Sequence, residues 1–281
     1  MIALHRDDVA YPFALRDLAP GPDPLWIDGD VRVLDRPCVA IVGTRRMTPY
    51  GERVARELGG ALARAGAVVV SGLAQGIDCA AHASAIDAGG ASVAVLGEGI
   101  TSFRANAHGR RRRIAMTLLD HGALISPYAP IVPARGWMFA KRNAVIAALS
   151  RAVVLVEAPD ASGALITAAD AARLGRPVFA VPGPLGARTS EGTNALIASG
   201  GARACLRADD VARAIGLDAL PPRPRPVDPL LEALAGGPLD LDALAKRTRV
   251  ERATLRTRLV ALVLSGAVVD RGDGRFGRGP T

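Results

Sequence analysis

The chain has 281 residues, 49% hydrophobic and 22% charged, a make-up that supplies a core and excludes a wholly disordered protein. At about 100–200 residues per domain, its length implies one large domain with a small one, or two of medium size. There are 35 basic residues against 27 acidic ones, a net charge of +8, and only Lys141 and Lys246 are lysines, so a Gly-Lys-Ser/Thr phosphate loop is excluded.

A basic surface points to a polyanion partner: nucleic acid, nucleotide or membrane surface. The arginine skew is also what a GC-rich genome produces, although arginine suits bidentate phosphate contacts. Aromatic residues, at 4%, are too few for a reader built on rows of stacked rings. Cys38, Cys79 and Cys205 are an odd number without a C-x-x-C, so neither a disulfide framework nor a cysteine-rich metal site is expected. The absence of a long apolar run and of a signal-peptide pattern predicts a cytoplasmic protein with no membrane partner.

Residues 1–38 carry Pro12, Pro20, Pro22, Pro24 and Pro37 and read as an irregular lead-in packed on the main domain. From Val39 the pattern changes. Continuous apolar runs predict strands at Val39–Val42, Ala67–Val70, Val93–Leu96, Ala123–Ser126, Val153–Val156 and Val178–Val181. Alanine-rich amphipathic stretches predict helices near 50–65, 77–88, 107–121, 139–149 and 164–174, with Thr48-Pro49 as cap and first residue of the first helix. This alternation means an α/β fold, a doubly wound parallel sheet over 39–216. Residues 217–229 hold Pro221, Pro222, Pro224, Pro226 and Pro229 with Arg223 and Arg225 between them, an extended linker. In 230–281, Asp240 caps a short helix, Leu255, Leu259 and Leu262 form the buried stripe of the next, and Gly272-Asp273-Gly274 turns a hairpin, together a winged helix. From 221 onward there are 11 basic and 7 acidic residues, so half the excess charge sits in under a quarter of the chain.

Ligands of open parallel sheets bind outside the carboxyl ends of the strands. There the chain places Gly43-Thr44-Arg45-Arg46, Ser71-Gly72 with Gly76, Gly97-Glu98-Gly99, Ser162-Gly163 and Pro182-Gly183. Glycine turns let backbone N–H groups approach an anion, and helix N-termini add positive potential. Arg104 with Asn106, after a strand-end loop, and Lys141-Arg142-Asn143, at a helix start, are further candidate contacts. Arg110–Arg113 reads as a solvated helix face. Asp78 and His82, at i and i+4, read as a local helix pair and not a metal site. No G-x-S-x-G, H-E-x-x-H or complete G-x-G-x-x-G occurs.

The ordered set Val39-Ala-Ile-Val-Gly-Thr-Arg-Arg46, Thr48-Pro-Tyr-Gly51, Ser71-Gly-Leu-Ala-Gln-Gly-Ile-Asp-Cys-Ala-Ala-His82, Val93-Ala-Val-Leu-Gly97, Lys141-Arg-Asn143, Ser162-Gly-Ala-Leu-Ile-Thr-Ala168, Val181-Pro-Gly183 and Gly192-Thr-Asn194 resembles the DNA-processing protein DprA (Smf) family over about residues 10–215. The resemblance implies an extended Rossmann-like domain that binds single-stranded DNA in a basic pocket, forms a homodimer and helps load the RecA recombinase in natural transformation. It implies no catalysis and no cofactor. It carries DNA contact onto Arg45, Arg104, Arg142, Asn143, Ser162 and Gly163. The chain departs from the family at Ser102-Phe103, Ala140, Ala144 and Gln75, which thins the basic rim, and its length leaves no room for the SAM-like N-terminal domain of many members. Two other readings stay open. One is a nucleoside-monophosphate hydrolase of the lysine-decarboxylase-like group, echoed faintly in Pro182-Gly-Pro-Leu-Gly186 with Glu191 one position late. The other is a transcription regulator whose Rossmann part senses a nucleotide and whose Arg249, Arg252 and Arg256 face a DNA groove.

Overall fold

The computed structural model describes residues 1–217, 228–248 and 250–279. Most of the predicted linker, from Pro221 to Pro226, and Arg249 lie outside the described residues. The chain divides into two compact units, Met1–Arg223 and Pro224–Thr281.

The larger unit holds β1 (Ile2–Leu4), β2 (Leu25–Gly29), β3 (Cys38–Val42), α1 (Pro49–Arg64), β4 (Val68–Ser71), α2 (Ile77–Asp87), β5 (Ala91–Val95), α3 (Ile100–Asn106), α4 (Gly109–His121), β6 (Gly122–Ser126), α5 (Gly136–Leu149), β7 (Ala152–Leu155), α6 (Gly163–Arg173), β8 (Val178–Ala180), α7 (Glu191–Ala198), β9 (Arg203–Ala204) and α8 (Ala208–Ala214). Its nine strands form one sheet in the order β1-β2-β6-β5-β4-β3-β7-β8-β9. The seven strands from β6 to β9 run parallel, and helices cover both faces, a Rossmann-like doubly wound arrangement.

The apolar runs are continuous because each strand is buried on both sides. In β3, Cys38, Ala40 and Val42 join the core under α5 and α6, while Val39 and Ile41 join the core under α1, α2 and α8. A third cluster lies under α4, around Phe103, Leu118 and Leu124. The Thr48 hydroxyl accepts the Gly51 N–H and Pro49 opens α1, as predicted. The three cysteines are buried and unpaired, and burial pushes the Cys38 thiol up to about 12.

The sequence reading of residues 1–38 needs correction. They contribute β1 and β2, and β2 pairs antiparallel with β6, Ile27 opposite Ile125. Leu15, Leu25 and Ile27 are fully buried, so apolar burial outweighs the proline-rich local sequence. The predicted helix near 107–121 is preceded by a separate helix, α3, to which the sequence reading assigned no element.

The smaller unit comprises α9 (Pro229–Ala233), β10 (Leu239–Asp240), α10 (Leu241–Thr248), α11 (Arg252–Leu264), β11 (Val268–Asp270) and β12 (Arg275–Arg278). Its strands form an antiparallel sheet in the order β10-β12-β11. Asp240 accepts the Ala243 N–H at the start of α10. Leu230, Leu244, Leu255 and Leu259 fill its core. Among the described residues no helix is long and apolar enough to cross a membrane.

Candidate nucleic-acid interface

The chain runs outward from β3 through β4 and β5 to β6, then returns to the other side of β3 as β7. That reversal splays the turns after β3 and β7 apart, and such a switch point is where doubly wound sheets bind ligands. Here it opens a trough of about 560 Å³. Gly43, Thr44, Arg45 and Arg46 form one bank, Ser162 and Gly163 at the start of α6 the other, and Phe139, Arg142 and Asn143 of α5 lie between.

Both banks are tied together by backbone and by one carboxylate. The Thr44 N–H donates to the Glu157 carbonyl at 2.7 Å. The buried Glu157 carboxylate accepts the Thr48 N–H at 2.9 Å and the Thr48 hydroxyl at 2.6 Å. An acidic group at the N-terminus of α1 is favourable electrostatically and holds the Arg45-Arg46 turn at the rim. The Arg45 guanidinium lies 5.5 Å from the centre of the Phe139 ring. Ser162 caps α6 by accepting the Ala164 N–H, and the Asn143 amide donates to the Gly163 carbonyl at 3.0 Å.

Gly76 closes the first bank from below. Its φ is +92°, and a Cβ there would overlap the Thr44 carbonyl oxygen. Gly76→Ala is therefore expected to cost about 1–3 kcal/mol or more through strain and displacement of the Arg45 turn. A wild-type urea midpoint for that variant would show the turn is not so constrained.

A buried ionic floor lies under the trough. Asp78 accepts the N–H groups of Gly72 and Ala74 at 3.1 and 3.2 Å, which holds Leu73 at φ +53° between them. Burial raises the Asp78 carboxyl above the usual range, and the nearby Arg142 charge opposes that rise. Arg142 is 4% exposed and donates to the Val95 carbonyl at 2.7 Å. Its guanidinium occupies the space a Gly72 side chain would need, and burial lowers its pKa to about 10. Its Nε has no hydrogen-bond partner. Asp78 and His82 do not pair with each other, contrary to the sequence reading. Asp78 serves the loop, and the His82 ring meets the Ser92 hydroxyl at 2.7 Å.

The structure thus brings Gly43, Thr44, Arg45, Arg46, Arg142, Asn143, Ser162 and Gly163 to one trough, with Gly76 beside it. Ser71 and Gly72 lie beneath it, the Ser71 hydroxyl donating to the Ile41 carbonyl. Arg104, Asn106 and Lys141 lie elsewhere. Because residues 100–106 are helical, Arg104 is carried to the β2 side of the sheet and forms an ion pair with Asp28. The Asn106 amide donates to the Ser102 carbonyl within the same helix. Lys141 lines a separate hollow beside Tyr128 and Asp170. The sequence reading missed Glu157, Phe139 and Arg188, which reaches the trough from residues 188–190. Of Arg110–Arg113, Arg110, Arg112 and Arg113 are exposed as read, and Arg111 departs from that reading. Arg111 is half-buried, its Nε donates to the Leu73 carbonyl at 2.9 Å, and it stacks 5.2 Å from the Phe103 ring.

The Pro182-Gly183 turn is held by a two-way amide bracket. The Gly183 N–H donates to the Asn194 side-chain oxygen, and the Asn194 amide donates back to the Gly183 carbonyl, both at 3.1 Å. Among the described residues no cluster of three His, Cys, Asp or Glu is placed to hold a metal.

A sequence model described as DNA recombination-mediator protein A matches residues 2–216. The chain belongs to this family. It is 40% identical over 195 residues to Protein Smf of Escherichia coli, covering 69% of this chain and 51% of that protein. It is 38% identical over 202 residues to the DNA processing protein DprA of Bacillus subtilis, covering 72% and 67%. It therefore spans about half the length of the Escherichia coli relative. Among solved structures it resembles DprA of Streptococcus pneumoniae, with a TM-score of 0.69, 34% identity and coverage of 75% and 73%. It also resembles DprA of Helicobacter pylori, a structure described for its single-stranded DNA binding mode, with a TM-score of 0.68, 28% identity and coverage of 77% and 96%. The family match ends before the smaller unit begins.

Proposed function

We propose that the trough binds single-stranded DNA through its phosphates, and that the protein acts without catalysis as a mediator that passes the strand to RecA in natural transformation. The observation that carries this reading is the charge of the site. Exposed Arg45, Arg46 and Arg188 surround it, together with the N-terminus of α6. Among its described lining residues the one carboxylate is Asp78, which is buried and already accepts two backbone N–H groups. Such a site attracts polyanions and offers no free acid or base. The Helicobacter pylori relative, with its single-stranded DNA binding mode, supports the same ligand. A homodimer in the cytoplasm and a winged-helix role for the smaller unit complete the proposal.

The two alternatives are weaker on particular residues. Glu191 stands exposed at the start of α7 and does not line the trough, so incubation with nucleoside monophosphates is expected to release no free base. Arg252 is engaged by Asp242 at 2.7 Å, and α11 exposes the apolar Val260 and Leu264, which suits protein contact better than groove reading.

The test is a salt titration with single- and double-stranded oligonucleotides. Single-strand preference with a steep salt dependence is expected. Arg45→Ala is expected to weaken binding several-fold and to lower the log K against log salt slope by about 0.7, one counterion's share for a single strand. Duplex preference, or no binding, overturns the reading. Accelerated onset of RecA's DNA-dependent ATP hydrolysis tests the hand-over.

A further inference from the structure

We propose that the strand does not end at Arg45 and Arg46 but turns there and continues along a second hollow, where Arg110 and Arg111 take further phosphates. This rests on the reading of the trough as a single-stranded DNA site. Arg45 and Arg46 line both cavities, so the two are contiguous across the tip of the first turn. The second hollow has a volume of about 520 Å³ and lies between the starts of α2 and α4. No carboxylate is among its lining residues. The Cys79 thiol, pushed up to about 11 mainly by burial, adds no negative charge near neutral pH.

The arginine run divides by geometry. Arg111 is locked by its bond to the Leu73 carbonyl and by the Phe103 ring, so its guanidinium is pre-oriented at the hollow and loses little freedom on binding an anion. Arg110 also lines the hollow and makes one long ion pair with Glu52, 3.4 Å between exposed side chains, which a phosphate can replace. Arg112 and Arg113, one and two residues further on, are exposed and line neither cavity. The path therefore leaves the trough over α4 and not toward Arg104, whose guanidinium is paired with Asp28.

The experiment uses the full chain and thymidine oligonucleotides of increasing length, with affinity measured by fluorescence anisotropy over a potassium chloride series. Arg110→Ala and Arg111→Ala are each expected to lower the salt slope by about 0.7 on long oligonucleotides. The shortest oligonucleotides that bind are expected to be unaffected, because the trough alone holds them. The double variant Arg112→Ala/Arg113→Ala is expected to keep the wild-type slope. Equal losses from the two halves of the run overturn the proposal, since they indicate diffuse charge. So does an unchanged slope and length dependence in Arg110→Ala when the wild type binds. Arg110→Ala decides the matter even where Arg111→Ala is unstable, because Arg110 is exposed and bonded only at long range. A wild type that binds no single strand overturns the parent reading instead.

Discussion

Arg142→Ala is expected to destabilise the larger unit by about 3–5 kcal/mol, whereas Arg45→Ala is expected to leave stability near wild type and weaken DNA binding. Both residues line the trough, and the family resemblance assigns DNA contact to both, yet their surroundings differ. Arg45 is exposed on a turn, with the Phe139 ring beside it. Arg142 is buried and donates to the Val95 carbonyl, and its charge acts on the buried Asp78. Although the two groups make no direct ion pair, truncating Arg142 leaves the buried Asp78 without that compensating charge and the Val95 carbonyl without this donor, and stranding a buried charge in this way costs about 3–5 kcal/mol. The Asp78 carboxylate holds Gly72 and Ala74, so the loop that carries Leu73 at positive φ is weakened with it. Urea unfolding followed by circular dichroism measures the loss. The double variant Asp78→Asn/Arg142→Ala should cost less than the sum of the two single changes. A loss below about 1 kcal/mol for Arg142→Ala would make the residue an ordinary ligand contact and not a strut.

Acid should destabilise the larger unit through His82. The Ser92 hydroxyl donates to the Val69 carbonyl at 2.7 Å, so it accepts from His82 Nδ1, and the ring is the neutral Nδ1–H tautomer. Nε2 is buried without a partner. Burial, aided by the Arg142 charge, depresses the His82 pKa from 6.5 to about 3. A depressed folded-state pKa means that the unfolded chain takes up the proton first. The stability held by neutral His82 is therefore complete above about pH 6.5 and is lost as pH falls toward about 3. At about 1.4 kcal/mol per pH unit, the loss reaches about 5 kcal/mol at the bottom of that window. Asp78 acts in the opposite sense, because burial raises its pKa and its protonation favours the folded state as pH drops. The difference between wild type and His82→Gln isolates the histidine. Stability measured from pH 7 to pH 4 should fall less steeply in the variant, and parallel curves would remove His82 from the acid limb.

Much of the sheet was legible because strands buried on both faces must be apolar at every position, and glycine turns mark where they end. Cys38–Val42, with Gly43 directly after it, meets both conditions, and Ala152–Leu155 meets the first. The trough's first bank was legible for a related reason: Gly43-Thr44-Arg45-Arg46 followed by Thr48-Pro49 encodes a strand end, a tight turn and a helix start locally. β2 carried no such signal. Leu25–Gly29 sits in a proline-rich stretch and becomes a strand by pairing with residues 123–126.

By itself, the sequence determined the alternation of strand and helix, the family, the arginine-bearing turn and the absence of a phosphate-loop lysine. All of these are encoded over short stretches, where periodicity and turn chemistry act. Only the tertiary structure decided which charges share a site. Glu157 holds Thr48 across 109 residues, and Arg188 enters the trough from a distant turn. Arg104 is drawn to Asp28 of β2, and Arg142 becomes part of the floor. Arg110 and Arg111 separate from Arg112 and Arg113 on one helix. A charge's neighbours are set by burial and by contacts distant in sequence, so the same residue type becomes a ligand contact, a strut or a solvated surface group according to where the fold carries it.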